Sequence, residues 1–503
     1  MGQSSFASEL KKILGRSGIY SIGSVFDRGI VFLLLPIYTR YLTPADYGIM
    51  SFIGAITGVL AIIYPLGLTS SITRLYYSES NEIARRRTLG TIWLTIFITA
   101  LGLSILLDLF RKDIFNLFVT DDYLNPYIRI SIWISFFAVF SGFPLTLYQI
   151  QGKSFSYACI SITKTVLTIG LIIGFVVFLK QGIHGYFKGT LIALILLSIP
   201  YTYISLRNLE ISFLWQKLKL ALHFGLPLLP HSITSWVLAL SDRIIIQRFI
   251  AISELGIYSL GYQLSGIVMM FATAINYAWM PFFFRTIEQS DEYAHKNIAR
   301  MSTYYILALC IIALACSLFM KEIIMLLTTS AYHLAYKVTP IIIGANLLSA
   351  LYFIPGNFLY LKKKTVWLIP VITIISGAIN ILINIIYVPK YGIMAAAWAT
   401  LFAYGIMCVL NWFFVIVIYR FPFEYERLFK IFLMFIILFA VGYHITIESI
   451  ALAILLKTVL ILIFFMTLIV AGFFTPSEKE KIQFLYQDQL ANIRKIINKI
   501  KIS

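Results

Sequence analysis

Long apolar runs recur along the whole chain and constrain its fold more than any other feature. Runs of about 20 apolar residues, the length that crosses the hydrocarbon core of a bilayer, follow one another with only short polar breaks. Of the 503 residues, 60% are hydrophobic and 12% are charged, which excludes an ordinary soluble domain. The sequence therefore predicts an all-α integral membrane protein with about 14 transmembrane helices. These helices are expected near residues 18–39, 48–73, 89–110, 128–150, 157–179, 184–206, 221–246, 256–281, 300–320, 338–361, 366–388, 391–418, 429–447 and 450–474.

The basic residues indicate how these helices are oriented. The net charge is +18, and most lysines and arginines fall in alternate loops and in the C-terminal tail. This asymmetry follows the positive-inside rule, so we expect a multi-pass protein of the plasma membrane with both termini in the cytoplasm. The charge excess is explained without nucleic acid as a partner, and a secondary attraction to anionic membrane lipids is expected.

An internal repeat of about 210 residues is visible in the sequence. Asp46–Ser51 (DYGIMS) aligns with Glu254–Ser259 (ELGIYS) at an offset of 208 residues, and Lys180–Ile183 (KQGI) aligns with Lys390–Ile393 (KYGI) at 210. Further matches at offsets of 211 to 212 pair Arg74 with Arg285, Pro144 with Pro355, and Leu147-Tyr148 with Leu359-Tyr360. Each copy contains an even number of spans, so both enter the membrane from the same side, related by an axis along its normal. Parallel halves of this kind place a substrate path at their interface, which predicts a transporter that alternates access by rocking.

The repeat and the charge pattern together predict six consecutive parts. An amphipathic N-terminal segment at 1–17 is expected on the membrane surface, followed by a first six-helix lobe at 18–206. A cytoplasmic linker at 207–220 leads to a second six-helix lobe at 221–418, in parallel pseudo-two-fold relation to the first. Two extra C-terminal helices are expected at 419–474, and a basic cytoplasmic tail at 475–503.

Two charged residues, Asp27 and Arg28, stand side by side inside the first predicted span. They are about nine residues from its start, which places them roughly 13 Å deep in the membrane. A charge at that depth costs a few kcal/mol, so such residues normally face a partner or a water-filled cavity. We therefore expect the first helix to line a solvated and charged space, although an interhelical ion pair would also explain the two residues.

Several motifs resemble the polysaccharide transporter family. They are Gly225–Pro230 (GLPLLP), Ser241-Asp242-Arg243, Glu254-x-Gly256-x-Tyr258-Ser259, Asp46-Tyr47-Gly48 and Ile72–Tyr76 (ITRLY). The order and the repetition of these motifs carry the resemblance, which covers nearly the whole chain. This family of oligosaccharide flippases belongs to the multidrug/oligosaccharidyl-lipid/polysaccharide exporter superfamily, together with the lipid II flippases and the multidrug and toxin extruders.

The resemblance implies two six-helix lobes that form a V around a central cavity. It also implies a flippase that moves a polyprenyl-pyrophosphate-linked oligosaccharide from the cytoplasmic to the outer leaflet, as a repeat unit of O-antigen (lipopolysaccharide), capsule or exopolysaccharide. Related flippases hold the lipid pyrophosphate with basic residues of the first, second and eighth helices, for which Arg28, Arg74 and Arg285 are the matching candidates. Lipid II flippases tend to show Arg before Asp in the first helix, so the order Asp27-Arg28 favours a polysaccharide repeat unit.

The cationic candidates each have a structural alternative. The guanidinium of Arg28 offers bidentate bonds to a pyrophosphate, while Asp27 could hold it in place or titrate to couple a proton. Arg74 and Arg285 would draw the head group in at the cytoplasmic ends of helices 2 and 8, but positive-inside anchoring also places arginines there. Lys164 would either line the cavity or snorkel towards the membrane surface.

Further candidates lie on helices 7 and 11. Asp242-Arg243 is expected to gate the outer side, to pair across to helix 1, or to form a structural pair. Pro227 and Pro230 should kink helix 7, because each removes a backbone donor. Asn380 and Asn384 stand one turn apart on one face of helix 11, where they would bind sugar hydroxyls or another helix.

Other functions are disfavoured to different degrees. An enzyme acting on the same lipid-linked sugars would need acidic or basic groups on a sizeable outer loop. The first outer loop is short, and the loop at 111–127 holds Asp113, Asp121 and Asp122 without a partner base. A lipid II-type flippase and a multidrug exporter of the same superfamily remain the alternatives, and an uncoupled scramblase also stays open. The four cysteines fall inside spans and lack metal-ligand spacing, so they are expected to act as small hydrophobic side chains. Neither a metal nor a cofactor is predicted. Glycosyltransferases and a polysaccharide polymerase are candidate partners of a chain expected to be monomeric.

Overall fold

The computed structural model describes residues 29–30, 32–79, 81–115, 122–289, 291–445, 449–476 and 478. The predicted amphipathic segment at 1–17, the pair Asp27-Arg28 and nearly all of the predicted tail at 475–503 lie outside the described residues. Helices and short turns make up the secondary structure of the described residues, which contain no strand. The predicted all-α class is therefore confirmed for this part of the chain.

Helix α1 is described at residues 29–30 and 32–41, and the others follow along the chain. They are α2 (Pro44–Ile63), α3 (Leu68–Ser78), α4 (Glu82–Leu109), α5 (Arg111–Phe115), α6 (Asn125–Ile150), α7 (Ser154–Ile173), α8 (Gly182–Asn208), α9 (Trp215–Gly225), α10 (Leu229–Phe249), α11 (Ile252–Ile287), α12 (Glu292–Leu327), α13 (Ala335–Leu351), α14 (Phe353–Tyr360), α15 (Lys363–Val366), α16 (Leu368–Tyr419), α17 (Tyr425–Tyr443) and α18 (Ile450–Val470).

Ten helical segments of the described residues are long and apolar enough to cross a membrane. One of them, Lys364–Tyr419, has 56 residues. At 1.5 Å per residue it extends about 84 Å, more than twice the thickness of a hydrocarbon core. Gly392 interrupts it with φ 65° and ψ −149°, a conformation open to glycine alone, so this segment consists of two helices. The protein is thus a multi-pass membrane protein, while the count of about 14 helices stays a prediction.

Two of the predicted spans are each broken into two helices. The second is split between α2 and α3, where Leu66 and Gly67 take positive φ values of 49° and 72°. The seventh is split between α9 and α10 by a 3₁₀ turn at Leu226–Leu228, which confirms the kink predicted from Pro227 and Pro230. The two breaks pack together, since a Cβ atom on Gly67 would lie 2.2 Å from the carbonyl oxygen of Gly225.

The chain divides into two compact units. The first contains residues up to 278 and residues 320–420, and the second contains 279–319 and the chain from 421 onward. One apolar cluster of the first unit includes residues of α2, α6, α8, α10, α11, α13 and α16, with Phe52, Ile132, Ile246 and Tyr258 almost completely buried. In the second unit α17 packs on α18, and Gly442 lies so close to Leu318 that a Cβ atom there would be 2.0 Å from its Cδ2. The six-part division predicted from the sequence stays a prediction.

Within the first unit, the first two turns of α2 and α11 touch at positions that the predicted repeat makes equivalent. Thr43 and Asp46 form a capping box that starts α2 and thereby sets the register of Gly48. A Cβ atom on Gly48 would lie 1.9 Å from the carbonyl oxygen of Ile252, and one on Gly256 would lie 1.8 Å from that of Pro44. The hydroxyl oxygens of Ser51 and Ser259 are 2.6 Å apart. Each contact has a counterpart 208 residues away, as in a self-complementary interface.

Candidate functional site

The described residues include five of the seven predicted site residues, because Asp27 and Arg28 lie outside them. Asp242 and Arg243 are buried in α10, with relative exposures of 2% and 5%. Arg74 on α3 and Arg285 on α11 are exposed, and Lys164 on α7 is half-buried. Arg285 belongs to the second unit and the other four belong to the first.

The buried pair on α10 is bonded internally. The Arg243 guanidinium donates from Nη1 to Asp242 Oδ1 at 2.6 Å and to the carbonyl oxygen of Ala239 at 2.5 Å. The other carboxylate oxygen of Asp242 accepts a hydrogen bond from the Tyr258 hydroxyl of α11. Both charged groups are thus bonded to other groups of α10 and to Tyr258 of α11. The two opposite charges give the site no net charge.

Aromatic rings complete the surroundings of this pair. The Arg243 guanidinium carbon lies 4.2 Å from the ring centroid of Tyr262, a cation–π distance. Tyr262 in turn is hydrogen-bonded to Tyr404 of α16. We call Asp242, Arg243, Tyr258, Tyr262 and Tyr404 the buried charge cluster. It links three helices through satisfied polar contacts, as a buried ion pair must if it is not to destabilise the fold.

The exposed arginine of α3 is held by an aromatic ring. The Arg74 guanidinium carbon lies 3.6 Å from the ring centroid of Phe224 on α9, next to the packed breaks at Gly67 and Gly225. Cation–π stacking uses the face of the guanidinium and leaves its N–H edge available for hydrogen bonds. Arg74 is therefore oriented but still accessible, which fits a residue that binds an anion.

Lys164 contacts the neighbouring helix. Its Nζ lies 3.4 Å from the hydroxyl oxygen of Ser141 on α6, and the residue is half-buried. This contact lies between α6 and α7, so the Lys164 ammonium group forms a hydrogen bond from one helix to the other.

The asparagines predicted on helix 11 share one face, as expected. Asn384 donates from Nδ2 to the carbonyl oxygen and the side-chain oxygen of Asn380, at 2.9 and 3.2 Å. Both side chains are buried, and among the described residues Asn380 Nδ2 and Asn384 Oδ1 have no hydrogen-bond partner. Gln247 of α10 is buried with both amide atoms in the same situation. These groups have unused capacity for a polar contact.

An apolar cavity of about 270 Å³ lies between α2, α3, α4 and α6. Its wall includes Pro65 at the helix break and the aromatic side chains of Trp93, Phe97 and Phe140. Such a lining suits an apolar group rather than a pyrophosphate. The cavity contains none of the predicted site residues.

No group of three or more His, Cys, Asp or Glu side chains within the described ranges could hold a metal ion. Cys159, Cys310, Cys316 and Cys408 are free thiols. The described site residues are thus arginines, a lysine, one aspartate, amides and tyrosines. The exposed Arg74 and Arg285 suit binding of an anion, and the amides suit hydroxyl groups.

A known protein family accounts for these features. Residues 14–287, more than half of the chain, match the family described as "Polysaccharide biosynthesis protein". The chain belongs to this family. The match confirms the resemblance found in the sequence motifs, and the matched region contains every predicted site residue from Asp27 to Arg285.

Relatives of this family member have been named in two organisms. A Lsg locus protein of Haemophilus influenzae is 27% identical over 293 residues, which covers 55% of this chain and 67% of the relative. The "Probable low-salt glycan biosynthesis flippase Agl15" of Haloferax volcanii is 23% identical over 432 residues, covering 82% of this chain and 86% of the relative.

Solved structures show the same fold. The lipid II flippase MurJ in an inward closed conformation matches with a TM-score of 0.71 and 18% identity, covering 88% of this chain and 97% of MurJ. A multidrug resistance transporter of the MATE family, in an inward-facing conformation, matches with a TM-score of 0.60 and 14% identity over 76% of this chain and 92% of the transporter. This polysaccharide biosynthesis protein therefore has the fold shared by flippases and multidrug transporters.

Sequence reasoning identified Asp242 and Arg243 but missed the tyrosines around them. Tyr258 and Tyr262 stand four residues apart on α11, a spacing that places both on one face. That spacing was a usable signal. Tyr404 is 142 residues further along the chain than Tyr262, and only the packing of α16 brings it to the cluster.

Proposed function

We propose that this protein flips a polyprenyl-pyrophosphate-linked oligosaccharide, the repeat unit of a surface polysaccharide, from the cytoplasmic to the outer leaflet. The family supports a role in polysaccharide biosynthesis, and the fold is one that carries out transport by changing conformation. In this proposal two six-helix lobes, related by a pseudo-two-fold axis along the membrane normal, alternate the access of one site. Both termini lie in the cytoplasm of a monomeric protein of the plasma membrane.

The observation that carries the proposal is the reciprocal contact between α2 and α11. Gly48 packs against Ile252, Gly256 packs against Pro44, and Ser51 contacts Ser259. The contact is reciprocal because Pro44, Gly48 and Ser51 each lie 208 residues before Ile252, Gly256 and Ser259. The matched glycines Gly182 and Gly392, which both have positive φ, support the same repeat. In the predicted topology this contact lies at the outer ends of helices 2 and 8. It closes the path to the outside, and it must separate when the substrate leaves.

The arginines supply the chemistry for loading the substrate. Arg28, Arg74 and Arg285 hold the pyrophosphate in the state open to the cytoplasm, since guanidinium groups replace lost water with charge-assisted hydrogen bonds. The exposure of Arg74 and Arg285 and the stacking of Arg74 on Phe224 support this assignment. Asp27 orients Arg28. The buried charge cluster and Lys164 connect helices, and their roles in transport are indirect.

The test uses purified protein in vesicles that contain a fluorescent polyprenyl-pyrophosphate oligosaccharide. A membrane-impermeant quencher reports how much of the labelled lipid reaches the outer leaflet over time. We expect the wild type to equilibrate the lipid, and the double variant Arg28→Ala/Arg285→Ala to slow this about 100-fold or more, as expected from losing two charge-assisted hydrogen bonds. A matched control is Arg129→Ala, because Arg129 forms an exposed ion pair with Asp108 at 3.1 Å. A double variant that flips at the wild-type rate would rule out the loading role.

The competing functions predict other outcomes. A lipid II-type flippase would move lipid II in the same vesicles in preference to the oligosaccharide lipid. A multidrug exporter would leave surface polysaccharide intact when its gene is deleted and would change only drug tolerance. The apolar cavity beside Trp93 and Phe97 is the feature that would suit such a drug.

A further inference from the structure

A second, smaller pocket lies at the ends of four helices of the first unit, and none of the proposed loading residues that the structure describes lines it. It has a volume of about 130 Å³ and is formed by the end of α3, the start of α4, the residue after α6 and the end of α8. Its wall includes Tyr76, Glu82, Arg85, Arg86, Gln151 and Arg207. We call it the basic pocket. Three arginines face a single carboxylate in this lining, so its charge is positive.

Two arginines of the basic pocket, Arg85 and Arg86, have hydrogen-bond donors without an acceptor among the described residues. Arg85 uses Nη2 for the carbonyl oxygen of Glu79 at 2.8 Å, and Arg86 uses Nη2 for that of Arg207 at 2.9 Å. Among the described residues, the Nε atoms of Arg85 and Arg86 are buried and have no hydrogen-bond partner. A buried donor left unpaired is unfavourable, and one on a charged group more so. Two such donors on adjacent arginines indicate a missing acceptor.

Nearby carboxylates are already engaged with other cations. Glu79 pairs with Lys217 at 2.5 Å, and Glu210 pairs with Arg87 at 2.9 Å. Within the described part of the chain, Arg85, Arg86 and Arg207 form no ion pair within 4 Å. Arginines whose only role is to orient the protein in the membrane extend into solvent. Arg85 and Arg86 differ, because their Nε atoms are buried in a concave site.

The arginine side chains of this pocket are also held in place. The Arg85 guanidinium stacks on Tyr76 at 4.6 Å, and that of Arg207 stacks on Tyr203 at 4.6 Å. The first turn of α4, a helix of 28 residues, adds the positive end of its dipole. Fixed guanidinium forks beside a helix N-terminus match the oxygen atoms of a phosphate group. A pocket of 130 Å³ is several times the ~30 Å³ share of one water, so a phosphate group fits.

We propose that the basic pocket is a binding site for the phosphate group of a membrane lipid. In the predicted topology the ends of α4, α6 and α8 lie on the cytoplasmic side, at the depth of the lipid head groups. Two sources share this chemistry, an anionic phospholipid head group and the pyrophosphate of a polyprenyl lipid. The proposal does not depend on flipping, because binding at this pocket is measured without transport.

Binding is measured by native mass spectrometry of the full chain in a neutral detergent. One arm adds palmitoyl-oleoyl phosphatidylglycerol and the other adds undecaprenyl pyrophosphate, with zwitterionic phosphatidylcholine as the reference lipid. We expect at least one anionic lipid to bind, and the variant Arg85→Gln/Arg86→Gln to weaken it about tenfold or more. The stronger of the two anionic lipids identifies the source. The matched control is Arg87→Gln, whose side chain is paired with Glu210 outside the pocket.

A third variant separates loss of binding from loss of folding. Gln151 lines the pocket, and its buried Oε1 has no hydrogen-bond partner among the described residues. Gln151→Glu places a carboxylate among the arginines, so we expect it to weaken lipid binding while raising the unfolding temperature. Misfolding cannot give that combination. Undiminished binding in Arg85→Gln/Arg86→Gln, equal weakening in Arg87→Gln, or no binding of either anionic lipid would overturn the proposal.

Discussion

At the scale of single residues, the buried charge cluster shows how two neighbouring charges are accommodated inside an apolar helix. Asp242 and Arg243 are adjacent, and neighbouring residues point about 100° apart on a helix. The sequence alone therefore leaves a pairing across to helix 1 open. In the structure the flexible arginine bends back to Asp242 at 2.6 Å, and Tyr258 takes the second carboxylate oxygen. Partners that come from distant parts of the chain, such as Tyr404, have no local signal.

Removing one charge of the Asp242–Arg243 pair should lower the stability of the protein more than removing both. Asp242→Ala leaves the Arg243 guanidinium buried without its carboxylate, and we expect a loss of about 3–5 kcal/mol in stability. Asp242→Leu/Arg243→Met replaces the pair with apolar groups and should recover most of that loss. Thermal unfolding in detergent measures both. As a control, Glu292→Ala removes an exposed partner of Lys296 and should leave the unfolding temperature unchanged. A single variant as stable as the double one would contradict this account.

At the scale of helices, glycines and prolines determine where elements break and how closely they pack. Pro227 and Pro230 allowed the break between α9 and α10 to be predicted, because proline removes a backbone donor. The break between α2 and α3 was not predicted, since it depends on positive φ at Leu66 and Gly67 rather than on Pro65 alone. The glycines of the repeated motif were visible in the sequence, but their role in helix contact required the structure. Asp27 and Arg28 lie outside the described residues, so the sequence alone supports their assignment.

Adding a methyl group at the α2–α11 contact should force the two helices apart. Gly48→Ala places Cβ 1.9 Å from the carbonyl oxygen of Ile252, and Gly256→Ala places it 1.8 Å from that of Pro44. We expect each variant to raise the rate at which a cysteine introduced at the buried Ser259 reacts with a maleimide. Gly54→Ala and Gly266→Ala on the same two helices are the controls, because no atom lies within 4 Å of the added Cβ. Equal reactivity in all four variants would argue against a tight contact.

The stabilisation by an ion pair in the second unit should depend on pH. Glu478 pairs with Arg427 at 3.2 Å and with Arg300 at 3.3 Å. Burial raises the pKa of the Glu478 carboxyl, but hydrogen bonds from Thr475 and the charge of Arg427 outweigh it and hold the pKa below its usual value. The resulting stabilisation is present above the unfolded-state pKa of about 4.3 and is lost as the pH falls through the lower folded-state pKa.

The variant Glu478→Gln tests this dependence. We expect it to lower the unfolding temperature at pH 7 and to differ less from the wild type as the pH falls below about 4, where the wild-type carboxyl also becomes neutral. Unfolding temperatures between pH 3 and pH 8 give the comparison. A constant difference across this range would show that the carboxylate charge does not stabilise the second unit.

At the scale of the whole molecule, the repeat links sequence, fold and proposed mechanism. The offset of 208 residues was readable from short motifs, and it also relates the residues in contact between α2 and α11. The two predicted copies differ in structure, since the second predicted span is broken at Gly67 whereas α11 is a single helix of 36 residues. The all-helical fold and the family were predictable because hydrophobic run length and motif order are local properties. The basic pocket was not, since it requires the ends of α4, α6 and α8 to meet.

The measurement that tests alternating access most directly is a reversible cross-link across the α2–α11 contact. The hydroxyl oxygens of Ser51 and Ser259 are 2.6 Å apart, so cysteines at these positions should form a disulfide in a chain whose four native cysteines are replaced. We expect oxidation to stop flipping of the labelled oligosaccharide lipid, reduction to restore it, and each single-cysteine variant to be unaffected by oxidant. A fully cross-linked protein that still flips the lipid at the rate of its reduced form would contradict the mechanism.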